Sequence, residues 1–345
     1  MQHAYFFHGQ AFGHRTFFEH GRVFDRFYGR YAYRGLFFDV FVAAHFYPFG
    51  FYAYAYHPFF APVVYVGPPV VVVPPVYGYY YAPYRVYPGP AFFLADAVIA
   101  TSLVAAYESQ QAAVVVGSLT PVPEGFDAGE QLINTLIPPA YAEAGATTMN
   151  KQVKDQLAAE IQGILQQSEK DAQANAAGQQ VDPAGGNIVK LFSDGRPHLL
   201  LSGASVDVVS NSGQECVITA GDVLSVDHVG GDSADARVMA AKNGGKECLL
   251  GGTVSVAVSD LQDMYNFMRE TVDDKLQDLQ KRSGSGGLPA TPANAAGAPV
   301  SAAFTNGAPP PDADVAKQIA QTNTDAASSE KEVSVSVAAD SGSGH

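Results

Sequence analysis

Two short stretches decide how this chain reads: Gly213-Gln214-Glu215-Cys216-Val217-Ile218 and Gly245-Lys246-Glu247-Cys248-Leu249-Leu250. They place the chain's 2 cysteines in matching surroundings. Each is followed by a Gly-x-Val turn into an alternating run, Gly221-Asp222-Val223-Leu224-Ser225-Val226 and Gly252-Thr253-Val254-Ser255-Val256. Alternation of apolar and polar residues is the period of a half-buried strand, so a small β domain holding both cysteines is expected. Two cysteines without a Cys-x-x-Cys pair favour a Cys216–Cys248 disulfide over a metal or redox centre. A disulfide implies an oxidising compartment. The competing reading is two unrelated buried thiols in a cytoplasmic protein.

Outward from the cysteines, residues 187–258 read as short strands between turns. They are predicted near Ile188–Phe192, His198–Leu201, Val206–Ser210, Glu215–Thr219, Val223–Asp227, Arg237–Ala241, Cys248–Leu250 and Val254–Val258. Asn211-Ser212-Gly213 and Asn243-Gly244-Gly245 supply residues that tolerate positive φ in hairpin turns. So many short strands in so few residues predict a small barrel. Two amphipathic helices bracket it. Val153, Leu157, Ile161, Ile164 and Leu165 recur at helical spacing after a Thr148 cap, and Leu261, Met264, Tyr265, Met268, Val272, Leu276 and Leu279 do so after Ser259, with Gln262 at the capping-box position. The first stripe reads either as packing on the protein's own domain or as a self-association face.

The front of the chain is different in kind. Residues 1–95 contain 15 of the 18 tyrosines and 17 of the 21 phenylalanines, with 6 Lys/Arg against 3 Asp/Glu; the other 250 residues carry 14 against 31. The acidic body disfavours nucleic-acid binding, which depends on Lys/Arg contacts to phosphate. His3, His8, His14 and His20 recur every five or six residues and Arg22, Arg26, Arg30 and Arg34 every four. A His-rich tract is a candidate metal binder, yet no spacing here matches a zinc ligand set. The four arginines would share a helical face suited to a membrane surface, but interleaved glycines and aromatics favour a flexible, adhesive tract. Ten prolines between Pro48 and Pro90 break helices and strands alike, predicting polyproline segments with short β pieces between them. Ala91–Tyr107 is apolar nearly all round and reads as a buried or interfacial helix, with membrane anchoring as the alternative. Ala112–Leu119 is expected to be a strand, residues 120–147 a connector with a helical turn at Glu130–Ile137, and the Ala/Gly/Ser/Pro-rich tail disordered. Within that tail Asp312–Gln321 is a candidate helix and Glu332–Val337 a candidate strand. The opening residues lack a basic n-region and an apolar h-region, so the start is expected upstream or a leader removed.

These readings divide the chain into an aromatic, Gly/Pro-rich low-complexity region (1–90), an apolar helix with its connector (91–147), a helix–barrel–helix domain (148–282) and a tail with a terminal strand (283–345). The fold class is α+β with large low-complexity regions. No nucleophile elbow, Walker loop or dinucleotide fingerprint is present. His198 and His228 are the only histidines between residues 58 and 344, and His228 has Asp227 beside it with Asp232 and Asp235 nearby; these residues read as an acid–base or metal group or, more simply, as a polar turn. Cys216 has Glu215 beside it, the wrong sign to stabilise a thiolate. No catalytic residue, cofactor or enzymatic activity is expected.

The run Pro68-Pro69-Val70-Val71-Val72-Val73-Pro74-Pro75-Val76-Tyr77 resembles Tyr/Pro/Val-rich segments of uncharacterised exported envelope proteins of Gram-negative bacteria. The cysteine-containing part, with Asp260-Leu261-Gln262-Asp263-Met264 after it, resembles a C-terminal module of a subset of them, near bacterial SH3-like domains. The resemblance covers roughly residues 40–90 and 148–290. It implies an exported structural or binding protein located in the periplasm, on the outer membrane or at the cell surface. Its expected partners are other envelope proteins, the cell wall or copies of itself, with peripheral membrane contact as a further expectation.

Overall fold

The computed structural model describes residues 2–19, 22–56, 73–84, 87–117, 149–242, 246–281, 290–310, 317 and 321. The front of the chain folds into an antiparallel meander of β1 (Gln2–Phe7), β2 (Gln10–Glu19), β3 (Arg22–Tyr33) and β4 (Leu36–Val42). This corrects the expectation of a flexible tract. Two of the connections are two-residue turns, His8-Gly9 (φ 49 and 81) and Arg34-Gly35 (φ 48 and 84). Positive φ at both positions gives the turn whose twist matches that of the flanking strands. The arginines recur every four residues on a strand rather than a helix, and four is also an even number. Arg26 and Arg30 therefore share one face of β3, where Arg26 meets Glu270 and Asp274 and Arg30 lies 3.7 Å from Asp39.

After β5 (His45–Phe46) the chain forms α1 (Phe49–Tyr56), where polyproline was expected. Pro48 precedes this helix and its carbonyl accepts from Phe51 N–H at 2.8 Å. Residues 57–72, with most of the Pro/Val run, lie outside the described residues. α2 (Pro90–Gly117) begins on Pro90, as the first helical position permits, and takes in residues 112–117 of the segment expected as a strand at 112–119, whose last two residues lie outside the described residues. The expected connector and its helical turn lie outside the described residues.

α3 (Lys151–Ala176) is capped by Asn150, whose Oδ1 accepts from Val153 N–H; the expected cap, Thr148, lies outside the described residues. Its whole apolar stripe is buried against α1 and α2, so that stripe is packing surface and not a self-association face. Asn187 next opens α4 (Ile188–Leu191) by accepting from Val189 and Lys190 N–H. An asparagine cap here overrides the β-branched run expected to be a strand.

β6 (His198–Leu201), β7 (Val206–Ser210), β8 (Glu215–Ile218), β9 (Val223–Val226), β10 (Ser233–Ala240) and β11 (Thr253–Ala257) form one antiparallel sheet in the order β6-β9-β10-β11-β7-β8. Among the described residues no sheet is closed, so the expected SH3-like barrel is an open six-stranded sheet. The outer edge of β8 is covered instead by the second cysteine stretch. Val217 N–H donates to Lys246 O and Cys248 N–H to Val217 O, at 3.0 and 3.1 Å. The expected strand Cys248–Leu250 is thus an isolated parallel bridge at Glu247, with Leu249 and Leu250 exposed.

α5 (Val258–Lys281) follows β11 directly, so Ser259 lies inside its first turn and Gln262 does not serve as a capping residue. Its apolar stripe is buried as expected. A second, polar stripe, Gln262, Asn266, Arg269 and Glu270, is buried too: Gln262 donates to Gly186 O and accepts from Ile188 N–H, Glu270 accepts from Arg26 and Tyr28 of β3, and Asn266 and Arg269 receive the exposed edge of β4. Asn266 Oδ1 accepts from Phe41 N–H at 2.9 Å and its Nδ2 donates to Asp39 O at 2.6 Å. The amide side chain thereby pairs with the strand edge as another peptide group would, and Arg269 donates to Phe41 O. An unpaired edge is an aggregation hazard, and α5 removes it. The tail then returns: β12 (Val300–Ser301) pairs with β5, and Phe304 stacks on Phe12 with ring centroids 4.9 Å apart. Residues 290–310 are therefore ordered where disorder was expected, held by one buried aromatic in a poor sequence. Of the Asp312–Gln321 segment, Lys317 and Gln321 are described and helical, while the expected terminal strand lies outside the described residues. A single hydrophobic core runs from Tyr5 to Phe304.

Candidate functional site

The six-stranded sheet turns its second face outward, and a concavity forms there. A cross-strand row, Leu199, Ser225, Arg237 and Thr253, makes the floor, in successive register on β6, β9, β10 and β11. α3 forms one wall with Gln156, Glu160 and Gln167, and the turn Asp194–Pro197 forms another. The groove has a volume of about 910 Å³. The alternation of β10 explains the floor: Ala234, Ala236, Val238 and Ala240 point into the core, leaving Asp235, Arg237 and Met239 outward.

His198 stands at the groove's end and is the histidine best placed for chemistry. Both of its nitrogens are occupied. Nδ1 lies 3.0 Å from Glu160 Oε2 and Nε2 3.0 Å from Asp194 Oδ1. Burial alone would lower its pKa, but the hydrogen bonds and charges of the two carboxylates outweigh it and raise it. Asp194 is held well below the usual carboxylate range by Arg196 N–H, His198 and the Arg196 guanidinium. Two carboxylates on one imidazole call for a donor at each nitrogen, hence the imidazolium. A fully protonated, doubly bound ring offers no lone pair to a substrate proton or a metal. His198 therefore pins α3 and the Asp194 turn to β6. Sequence reading missed this pair because Glu160 and Asp194 lie 38 and 4 residues away.

Of the histidines predicted as metal candidates, one pair is brought side by side. His3 and His14 are cross-strand partners on β1 and β2, His8 occupies a hairpin turn, and His20 lies outside the described residues. His14 is buried, stacks on Phe27, and contacts Pro309 O and Asp25 Oδ1 at 3.1 and 3.3 Å. His228 is exposed, as is Asp227. Among the described residues no group of three His, Cys, Asp or Glu is placed to hold a metal ion.

Cys216 and Cys248 are joined in a disulfide, with Cα atoms 5.0 Å apart and a sequence separation of 32. The bond fastens the second cysteine stretch to the edge of β8, and Cys248 is buried. A disulfide is consistent with an oxidising, exported location.

The apolar helix α2 contains one window, Pro90–Gln110, long and apolar enough to cross a membrane, and 72% of that window is buried inside the protein. Its one interior charge, Asp96, is fully buried and accepts from Tyr84 N–H at 2.6 Å and from the Tyr81 hydroxyl. Burial raises the Asp96 pKa, opposed chiefly by Lys154. These contacts assign the helix to the core of the fold. No protein family, curated protein or solved structure matches this chain.

Proposed function

We infer that this is a non-enzymatic structural or binding protein of the bacterial cell envelope. The disulfide carries the reading, because such cross-links form and persist in oxidising compartments and are rare in the reducing cytoplasm. Two features support a contact role. The groove is lined by Arg237, Asp235, Lys190 and Arg196 beside a histidine with no free nitrogen, a surface suited to holding a polar partner and not to transforming one. The aromatic front exposes Phe6, Phe37 and Phe49, separate apolar points for adhesive or assembly contacts with other envelope proteins, the cell wall or a second copy.

Fractionation of cells producing the full chain, followed by peptide mapping under non-reducing conditions, tests this reading. The expected result is recovery with the periplasmic or outer-membrane fraction and a Cys216–Cys248 peptide. Recovery in the cytoplasm with both thiols free would overturn it. Membrane anchoring through α2 is the second reading, favoured only by the length and composition of Pro90–Gln110. Alkaline carbonate should release the protein if α2 stays within the fold.

A further inference from the structure

Beside the disulfide, Lys242 and Asp222 meet in the interior. Lys242 Nζ lies 2.6 Å from Asp222 Oδ1 and 2.7 Å from Ala220 O, and the two side chains are 3% and 0% exposed. They flank the end of the β9–β10 pairing, where Ala240 is opposite Val223. The backbone sets their approach: Gly221 has φ +93, and a Cβ there would come within 2.7 Å of Leu103. The ring of Tyr80 covers the amine at 5.3 Å, while its hydroxyl donates to Gly221 O at 2.6 Å.

The second oxygen of Asp222 has an unusual neighbour. Thr219 Oγ1 lies 3.1 Å from Asp222 Oδ2 and 2.9 Å from Glu247 Oε1. A hydroxyl has one hydrogen and can donate to one of them only. The hydroxyl thus links the two carboxyl groups, and Thr219 N–H also donates to Asp222 Oδ2 at 2.8 Å. Burial pushes Asp222 above the ordinary carboxylate range, against the opposing pull of Lys242. In a site this dry, burying two charges is costly, and passing one proton from amine to acid removes both.

We propose that Lys242 and Asp222 are the two halves of an intramolecular isopeptide bond, with Thr219 and Glu247 holding the second oxygen of Asp222 in place. A proton passes from the Lys242 ammonium to the Asp222 carboxylate, leaving an amine and a carboxylic acid. The amine lone pair attacks Asp222 Cγ, forming the Nζ–Cγ bond. The proton left on nitrogen passes to the departing oxygen Oδ1, to which Nζ is already hydrogen-bonded at 2.6 Å, the C–O bond breaks and water leaves. One amine and one acid give one amide and one water, with no oxidant, cofactor or leaving group beyond that water. The juxtaposed groups supply the reaction's main requirement, since holding reactants in contact replaces a bimolecular encounter. The product would nest one covalent ring, closed between residues 222 and 242, inside the ring of the 216–248 disulfide, and it would survive reduction.

Mass spectrometry of the full-length native chain, fully reduced and alkylated, reads the bond directly. The expected result is a mass lower by one water, a protease-resistant bond after residue 242, and a branched peptide joining the two segments. A chain at full mass, with residue 242 cleavable and unlinked, overturns the proposal. So does a missing water that maps to any other residue. Glu247→Gln, which loosens Thr219 from Asp222, should lower the cross-linked fraction while leaving the fold's circular dichroism intact. If that variant cross-links as completely as the parent, the positioning role assigned to Glu247 is overturned.

Discussion

Gly29 offers the clearest test that the aromatic front is folded onto the rest of the molecule. It lies on β3, and a Cβ built there would stand 2.3 Å from Pro183 Cγ and 2.4 Å from Pro183 Cβ. Real atoms do not approach so closely, and a buried proline ring cannot swing aside as the end of a lysine could. Gly29→Ala should therefore separate β3 from the 183–186 turn at an overpacking cost of about 1–3 kcal/mol. In a flexible tract the same substitution would be neutral, or would stabilise by about 0.4–1 kcal/mol through the unfolded chain, so the two accounts differ in sign. Gly163→Ala is the matched control. That glycine lies in α3 with nothing within 4 Å of its would-be Cβ, and alanine should stabilise it by about 1 kcal/mol. Differential scanning calorimetry should show Gly29→Ala lowering Tm by roughly 2–4 °C per kcal/mol, the scaling for bodies of about 150–250 residues, with Gly163→Ala shifting it upward. An unchanged or raised Tm for Gly29→Ala would refute the packing of β3 on Pro183.

Asn266→Leu keeps the side-chain volume but orphans Phe41 N–H and Asp39 O at the β4 edge, and urea denaturation should show a loss of about 1–3 kcal/mol per stranded group. Asp273 is pushed up to about 7 by burial and by Asp274, and His198 is also raised. Because the native state then holds protons that the unfolded chain has released, stability should fall as pH rises from about 5 to 8. Asp273→Asn should flatten that slope in a Tm–pH series, and a slope of opposite sign would contradict the assignment. Replacing both cysteines by serine should cost about 3–4 kcal/mol on the loop-closure relation for a ring of this length, read as a shift in the urea midpoint of the oxidised protein.

The sequence made some of this visible and hid the rest for identifiable reasons. The stripes of α3 and α5 were legible because one face is apolar and the period is 3.6 residues. The cysteine pair and the Gly-x-Val strands were legible because the motif occurs twice. The meander was not, since α5 covers one face and Pro183 and Phe304 the other. Aromatics on both faces, such as Phe27 and Tyr28, erase the period-two signal. Its turns were also disguised, with His8-Gly9 and Arg34-Gly35 standing where Asn-Gly would announce a hairpin. The recurring histidines and arginines therefore read as a ligand tract and a membrane face. The second stripe of α5 reads as solvated by composition and becomes an interface only once β4 is beside it. Neither the clamp on His198 nor the Lys242–Asp222 pair has a local signature, because each depends on sheet order.

Amide hydrogen exchange over residues 2–42 of the intact protein tests the central claim most directly, namely that the aromatic front is a β-meander docked on α5. The account predicts slow exchange through the paired cores of β2, β3 and β4, with Phe41 N–H protected by Asn266. Exchange across these residues at the rate of an unstructured chain would contradict it.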